Sequence, residues 1–299
     1  MGYFYAFFAV IIFLSGCGES DYSDIQKPVD ESIDQDKSIV SKPIETSENI
    51  EKSEKKELES LYRQYIKSAQ DELGDVYTVP GIEMEMLWVH PGTFTAGSPK
   101  TEIGRGGNEN QREKKINFGF YLGKFEVSQV QWESVMGNNP SKFKGPNLPV
   151  ENISWQDAVE FCEKLTKVEI FNARLPNGFA YQLPTQMEWE YACRAGTKSA
   201  YWWGGSPDSK NANYDSDISD GTTKEINSYL PNPWGFFNVH GNVWEYCSDT
   251  SEFSPVFRFA RGGSWSDNSD FLRSAYRLEI QKDSYNHTLG LRIALKVSM

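Results

Sequence analysis

The chain has 299 residues, with 30 Lys or Arg against 42 Asp or Glu, so its formal net charge is −12. This acidity argues against a nucleic-acid partner, because a basic surface is needed to displace counterions from phosphates. A hydrophobic content of 38% excludes a polytopic membrane protein, and an aromatic content of 14% excludes a chain that is disordered throughout. Four cysteines are too few for a disulfide scaffold.

The N-terminus carries an apolar run at residues 3–14. It is too short to cross a bilayer, which takes about 20 residues, and it is typical of an export signal. The Leu-Ser-Gly-Cys that ends at Cys17 resembles the lipobox of bacterial lipoproteins. That resemblance implies a signal peptide at 1–16, lipidation of Cys17, and anchoring to a bacterial membrane, at the outer membrane or the periplasmic face. An uncleaved N-terminal anchor remains an alternative.

Residues 17–50 are predicted to be a disordered acidic tether. From Gly18 to Ile50 there are nine acidic residues and three Lys, and the segment has no Phe, Trp, Leu or Met. Such a segment buries too little apolar surface to offset its ordering entropy.

An amphipathic helix is predicted next, over residues 51–75. Apolar side chains recur there at steps of three and four, which is typical of one helical face that packs on a following domain. These side chains are Leu58, Leu61, Tyr62, Tyr65, Ile66, Ala69 and Leu73.

Residues 76–299 are predicted to form one domain. Strands are expected at 84–89, 93–95 and 118–122. Three helices are expected after Ser128, Ser154 and Thr185, because each is followed three residues later by a Gln, Asp or Glu that completes a capping box. Residues 197–235 show no hydrophobic periodicity. So long an irregular stretch inside a domain requires metal ions, buried aromatic side chains, or both, to organise it.

Eight stretches of this domain together resemble one family. They are PGTFTAGS (91–98), GKFEVSQVQWESV (123–135), PVENISWQDAVEFC (149–162), LPTQMEWEYACRAGT (183–197), NPWGFFNVHGNVWEY (232–246), RGGSW (261–265), RSAYR (273–277) and GLRIAL (290–295). Their order and spacing resemble the sulfatase-modifying factor domain of formylglycine-generating enzymes. The resemblance implies an irregular α+β fold related to the C-type lectin fold, with little regular secondary structure.

Active members of that family oxidise a sulfatase cysteine to formylglycine with copper and oxygen, and two cysteines after the GGS motif hold the metal. Here Asp267 stands at the first of those positions, and no cysteine follows Cys247. Oxygen donors are poor ligands for soft monovalent copper, so we expect neither copper binding nor formylglycine generation. Cys162 and Cys193 are expected to be buried small hydrophobic residues, and a pairing of Cys247 with either of them stays open.

The resemblance also implies two structural calcium sites. The first is implied for the side chains of Asn238 and Glu245 with the carbonyls of Gly241 and Val243. The second is implied for a set in an independently oxygen-rich run, namely Asn213, Tyr214, Asp217 and Ser219. Calcium takes six to eight oxygen ligands in flexible geometry. A solvated polar turn is the alternative for the second set.

A binding cleft is implied near the RGGSW and RSAYR motifs. Its candidate residues are Arg261, Ser264, Trp265, Arg273 and Arg277. The alternative is that Trp265, Arg273 and Arg277 pack the core, with the arginines paired with acids. Trp and Arg are frequent binding hot spots.

The sequence favours a membrane-anchored lipoprotein whose domain is non-catalytic, stabilised by calcium, and binds an envelope protein or peptide or serves as a scaffold. An atypical formylglycine-generating oxidoreductase, or an oxidoreductase that uses another metal, is the alternative. Glycan binding is a third hypothesis, suggested only by the lectin-like fold. The sequence names no particular partner.

Overall fold

The computed structural model describes residues 47–215 and 219–298, with side chains from Glu51 onward. The predicted signal peptide, Cys17, almost all of the predicted tether and Asp217 therefore lie outside the described residues. Within the described part of the chain, no helix combines the length and apolarity that a membrane crossing would require.

Helix α1, Ser47–Leu73, packs its apolar face on the domain. Ile66 and Ala69 are buried in the main core, and the ring of Tyr62 meets Phe118 edge-on at 4.6 Å between centroids. Leu58, nearer the N-terminus of the helix, is 60% exposed. The packed part of the helix is thus its C-terminal half.

Two curled sheets and a ribbon form the β-structure. The strands are β1 Val76–Val79, β2 Met84–Val89, β3 Gly92–Ala96, β4 Arg112–Ile116, β5 Phe120–Gly123, β6 Phe179–Gln182, β7 Trp244–Thr250, β8 Phe257–Arg261, β9 Leu278–Gln281, β10 Leu289–Gly290 and β11 Ala294–Val297. The five-stranded sheet has the order β1-β2-β5-β11-β6, the four-stranded sheet has the order β10-β7-β8-β9, and β3 and β4 form the two-stranded ribbon.

Three further helices begin at the predicted capping boxes. They are α2 Gln129–Met136, α3 Trp155–Phe171 and α4 Gln186–Arg194, capped by Ser128, Ser154 and Thr185. Each cap side chain accepts the backbone N–H three residues on, and that residue's side chain accepts the N–H of the cap residue. The helix predictions are confirmed because this signal is entirely local.

Buried aromatic side chains organise the segment between α4 and β7, which holds only isolated bridges among its described residues. Tyr201 stacks on Trp203 at 5.0 Å, and His240 lies edge-on to both rings. His240 Nε2 also accepts the N–H of Trp202, and Tyr214 joins the same small core. Of the two organisers proposed from the sequence, aromatic packing is the one visible in the described residues.

The chain therefore folds as the predicted α+β domain with little regular secondary structure. A short 3₁₀ helix, Ser269–Leu272, follows the RGGSW motif and leads toward β9. The turn that connects β8 to this helix carries Asp267.

Candidate functional site

The turn after β8 places Asp267 beside the start of β7. Gly262 and Gly263 both have positive φ, 97° and 77°, a conformation that costs glycine little, so the chain reverses there. Asp267 Oδ2 accepts the N–H of Ser264 at 3.0 Å, the Ser264 hydroxyl, and Trp244 Nε1 at 2.9 Å. Burial raises the pKa of Asp267, while these hydrogen bonds act in the opposite direction. Asp267 is thus a fixed, half-buried carboxylate.

Trp244, which donates to this carboxylate, belongs to a group of three aromatic rings. The centroid of the Tyr276 ring lies 5.9 Å from that of Trp244 and 4.9 Å from that of Phe271, which it meets edge-on. The charge of Asp267 contributes to raising the pKa of Tyr276, after desolvation as the main cause. Tyr276 and Phe271 remain partly exposed, whereas Trp244 is buried. We refer to Asp267, Trp244, Phe271 and Tyr276 as the Asp267 niche.

Three of the five predicted cleft residues are interior rather than on a surface. Arg261 is 1% exposed and pairs with Glu190 at 2.7 Å, and Ser264 is fully buried beside Asp267. Arg273, 1% exposed, pairs with Glu102 and Glu109 at 2.7 Å each. These contacts give the three residues structural roles, and for Arg273 this is the alternative that the sequence left open.

The other two predicted cleft residues lie nearer the surface. Trp265 is 7% exposed; it stacks on His287 at 5.6 Å, and its Nε1 donates to the His287 carbonyl. Arg277 is partly exposed, and its guanidinium lies 5.2 Å from the Phe259 ring. Neither residue contacts Asp267 through a hydrogen bond or ring contact.

The cysteines of the described residues are unpaired and buried. Burial raises the pKa of Cys193 to about 12 and also raises those of Cys162 and Cys247. Cys193 Sγ contacts Ser274 Oγ and His240 Nε2 at 3.7 Å, so it packs within the core. The expectation that Cys162 and Cys193 are buried is confirmed, and the pairing of Cys247 with either, which the sequence left open, is not formed.

In the first implied calcium set, Glu245 already has other partners. Arg292 donates to both carboxylate oxygens, from Nη2 at 2.6 Å and from Nε at 2.9 Å, and Trp189 Nε1 donates at 2.6 Å. Arg292 is fully buried and Glu245 is 1% exposed. The guanidinium therefore stands where a cation would otherwise neutralise Glu245, and this side chain does not fit as a calcium ligand.

The other side chain of that set, Asn238, contacts a carboxylate that the sequence analysis missed. Asn238 Nδ2 donates to Glu126 Oε2 at 3.1 Å, and Asn242 Nδ2 donates to Glu126 Oε1 at 2.8 Å. Glu126 is fully buried without an ion-pair partner in the described residues, and burial raises its pKa to about 8. Asn238 Oδ1 is buried and accepts no hydrogen bond from the described residues. Gly241 and Val243 lie in the loop that carries Asn238 and Asn242.

The second implied set retains an oxygen that suits a cation. Asn213 is 1% exposed, its Nδ2 donates to the Thr222 carbonyl at 3.0 Å, and its Oδ1 is buried without a partner in the described part of the chain. Tyr214 adjoins it, and Ser219 Oγ accepts the N–H of Gly221. Asp217 lies outside the described residues. Within 47–215 and 219–298, no group of three or more His, Cys, Asp and Glu side chains is arranged to hold a metal.

Comparison with known proteins gives a family and a fold. The family model described as "Sulfatase-modifying factor enzyme 1-like domain" matches residues 75–297. "Chaperone protein LppX" of Paenibacillus barcinonensis is 30% identical, over 58% of this chain and 79% of its own length. "Formylglycine-generating enzyme" of Mus musculus is 29% identical, over 56% of this chain and only 50% of its own length.

A solved structure extends the comparison to the fold. "Treponema denticola variable protein 1" superposes with a TM-score of 0.63 at 25% identity, covering 73% of this chain and 97% of that one. The match spans nearly the whole of that smaller protein, so the fold is shared across the domain.

A pH-dependent stability is predicted from Glu126. Its folded pKa lies above its ordinary value, so the folded state holds a proton that the unfolded state loses first. The resulting stabilisation is complete below about pH 4.5, declines as the pH rises, and is lost above about pH 8. In Glu126→Gln, which stays neutral, this decline should be missing. The measurement is the free energy of unfolding in urea from pH 5 to 9.

The matched control for this experiment is Glu113→Gln, at an exposed position on β4. The difference in unfolding free energy between this variant and the wild type should stay constant with pH. A tenfold change in a protonation equilibrium corresponds to about 1.4 kcal/mol. The difference in unfolding free energy between Glu126→Gln and the wild type should therefore change by more than about 1 kcal/mol over this pH range. If the difference from the wild type is independent of pH for both variants, Glu126 is ionised in the folded protein.

Proposed function

Because the chain belongs to the sulfatase-modifying factor enzyme 1-like domain family, we propose that it is a non-catalytic member that binds a protein or peptide of the cell envelope. The observation that carries the proposal is the Asp267 niche. At the position where active relatives hold copper with a thiolate, this chain has a carboxylate held by Ser264 and Trp244.

Copper does not fit the donors that the niche offers. Monovalent copper is soft and prefers sulfur, whereas Asp267 offers a hard oxygen next to hydroxyl and indole groups. The thiols in the described residues are buried in the core, and burial holds them in the protonated form. A metal-binding thiolate would require a lowered pKa, which is the opposite of the shift found here.

Binding rather than oxidation also agrees with one relative's name. "Chaperone protein LppX" is a chaperone by name, and its match covers more of its own length than the match to the mouse enzyme does. A chaperone recognises segments of other polypeptides, so a partly exposed aromatic niche is a suitable contact surface for such a role. A scaffold role is the other form of this function, and glycan binding stays a separate third hypothesis, suggested only by the lectin-like fold.

The test of this proposal is an oxidation assay. The purified chain is incubated with copper, oxygen and a peptide that contains a sulfatase cysteine motif, and the peptide mass is then measured. We expect no aldehyde product, while the mouse formylglycine-generating enzyme converts the same peptide in parallel. Aldehyde formed by this chain at a rate comparable to that of the mouse enzyme would establish the alternative, an atypical oxidoreductase.

Calcium is proposed as a structural ion at the loop of Asn213, Tyr214, Asp217 and Ser219. Asn213 Oδ1 is buried and accepts no hydrogen bond from the described residues, which supports this position, because a hard cation would satisfy it. Asn238 Oδ1 of the first loop is in the same situation, but Arg292 already neutralises Glu245 there. Calcium should therefore raise the melting temperature of the wild type. At a hundredfold excess of calcium over Kd, the folded state should be stabilised by about 2.7 kcal/mol.

The variant that tests this site is Asn213→Ala, with Asn211→Ala as its matched neighbour. Asn213→Ala should lose most of the calcium-dependent rise, and Asn211→Ala should keep it. A wild-type melting temperature that is identical in calcium and in chelator would remove calcium from the proposal.

Export and lipid anchoring at Cys17 are proposed from the sequence resemblance alone. The expected mature chain begins at an acylated Cys17, because the lipobox-like residues precede it. Mass spectrometry of the protein from envelope membranes should detect an N-terminal acylated cysteine. Cys17→Ser should move the protein to the soluble fraction or leave its signal peptide uncleaved. An unmodified N-terminus upstream of Cys17 in the wild type would refute the assignment.

A further inference from the structure

An open groove lies beside β6, the edge strand of the five-stranded sheet. Its volume is about 580 Å³, which falls within the range of roughly 300–1,000 Å³ that small-molecule sites occupy. It shares no residue with the Asp267 niche or with the two implied calcium sets. We call it the β6 groove and define it by six of its lining residues, Glu163 and Lys167 of α3, Gln182 of β6, Glu188 of α4, Ser248 of β7 and Lys296 of β11.

The charges around the β6 groove balance one another. Lys296 Nζ donates to Glu188 Oε2 at 2.7 Å, and each of these side chains is 17% exposed. Glu163 and Lys167 add one charge of each sign, and neither forms an ion pair with the described residues. A ligand with a net charge of either sign therefore meets a like charge as well as an opposite one, so the groove favours an uncharged ligand.

Three polar side chains of the groove have hydrogen-bonding capacity that the described residues do not use. The Gln182 amide and the Ser248 hydroxyl make no side-chain hydrogen bond with those residues, and each group can both donate and accept. Glu188 Oε2 accepts from Lys296 and from the N–H of Thr185, whereas Oε1 accepts from none of the described residues. These groups start from two strands and a capped helix, so little ordering is needed when a ligand binds.

The apolar part of the lining is small. Ala180 and Val297 contribute short side chains, and Tyr181 is only 2% exposed. Polypeptide partners are usually held by large aromatic or aliphatic anchors that fill a pocket, and the described lining offers no deep apolar pocket for one. A ligand with many hydroxyl groups fits better, because each hydroxyl both donates and accepts, as the free groups of the groove require.

We infer that the β6 groove binds an uncharged sugar, whose hydroxyl groups bond to Gln182, Ser248 and Glu188 Oε1. This inference is independent of the proposed peptide binding, and its basis is the lining of the groove rather than the lectin-like fold. A free sugar and the end of a glycan chain present the same hydroxyl groups, so both are suitable ligands.

The test is a titration of the isotope-labelled chain, followed by nuclear magnetic resonance, with the neutral disaccharides maltose, lactose and N,N′-diacetylchitobiose. At least one of them should shift the amide signals of Gln182 and Ser248 until they saturate. A longer oligosaccharide of the same repeating unit then separates the two sources, and both results support the inference. Tighter binding of the oligosaccharide indicates a glycan chain, and equal affinity indicates a free sugar.

Variants of the groove check that the sugar uses these groups. Gln182→Ala and Ser248→Ala should each weaken binding by about three- to tenfold, because each removes hydrogen bonds to the ligand. Lys167→Trp, at an exposed position of α3, should obstruct the groove and abolish binding. The matched control is Gln281→Ala at an exposed position on β9, which should bind like the wild type. Melting temperatures confirm that each variant is folded.

Three results would overturn the inference. The first is that none of the disaccharides shifts the signals of the groove, and the second is that Gln182→Ala and Ser248→Ala both bind sugar as tightly as the wild type. The third is that a blocked Ala-Gly-Ala peptide shifts the same signals with higher affinity than every sugar, since the groove is then a peptide site. The oxidation assay involves neither sugar nor this groove, so its outcome is separate from all three.

Discussion

The fold depends on the buried ion pair between Arg292 and Glu245. Arg292 lies between β10 and β11, and besides Glu245 on β7 it donates to the carbonyls of Gly123 and Phe237. Trp189 of α4 reaches the same carboxylate. Burying two charges is costly unless every donor is satisfied, and all three guanidinium nitrogens are used here. These contacts connect β7 of the four-stranded sheet and β5 of the five-stranded sheet to α4 and to the loop of Phe237.

Buried ion pairs between arginine and glutamate also connect other parts of the domain. Glu190 of α4 binds both Arg194 and Arg261, and Arg273 joins the 3₁₀ helix to the loop between β3 and β4 through Glu102 and Glu109. Loops cannot satisfy their polar groups through ladders of backbone hydrogen bonds, so side chains take that role. Internal ion pairs and stacked aromatic rings replace secondary structure as the framework that positions the Asp267 turn.

Local features were predictable from the sequence, and pairings across the chain were not. The capping boxes at Ser128, Ser154 and Thr185 are decided within four residues, which explains their agreement with the structure. Glu126 lies 116 residues from Asn242, and no local signal announces that contact. The resemblance implied that Arg261 and Arg273 border a cleft, but both are buried by ion pairs with acidic residues that lie far away in sequence.

The unpaired thiols have a consequence for biogenesis. Cys162, Cys193 and Cys247 come from α3, α4 and β7, so each is sealed only when the sheets and helices close over it. If the protein is exported as proposed, a newly made chain with these sulfurs exposed can form wrong disulfides until the core has closed. Rapid closure of the core would then protect the thiols from disulfides between chains.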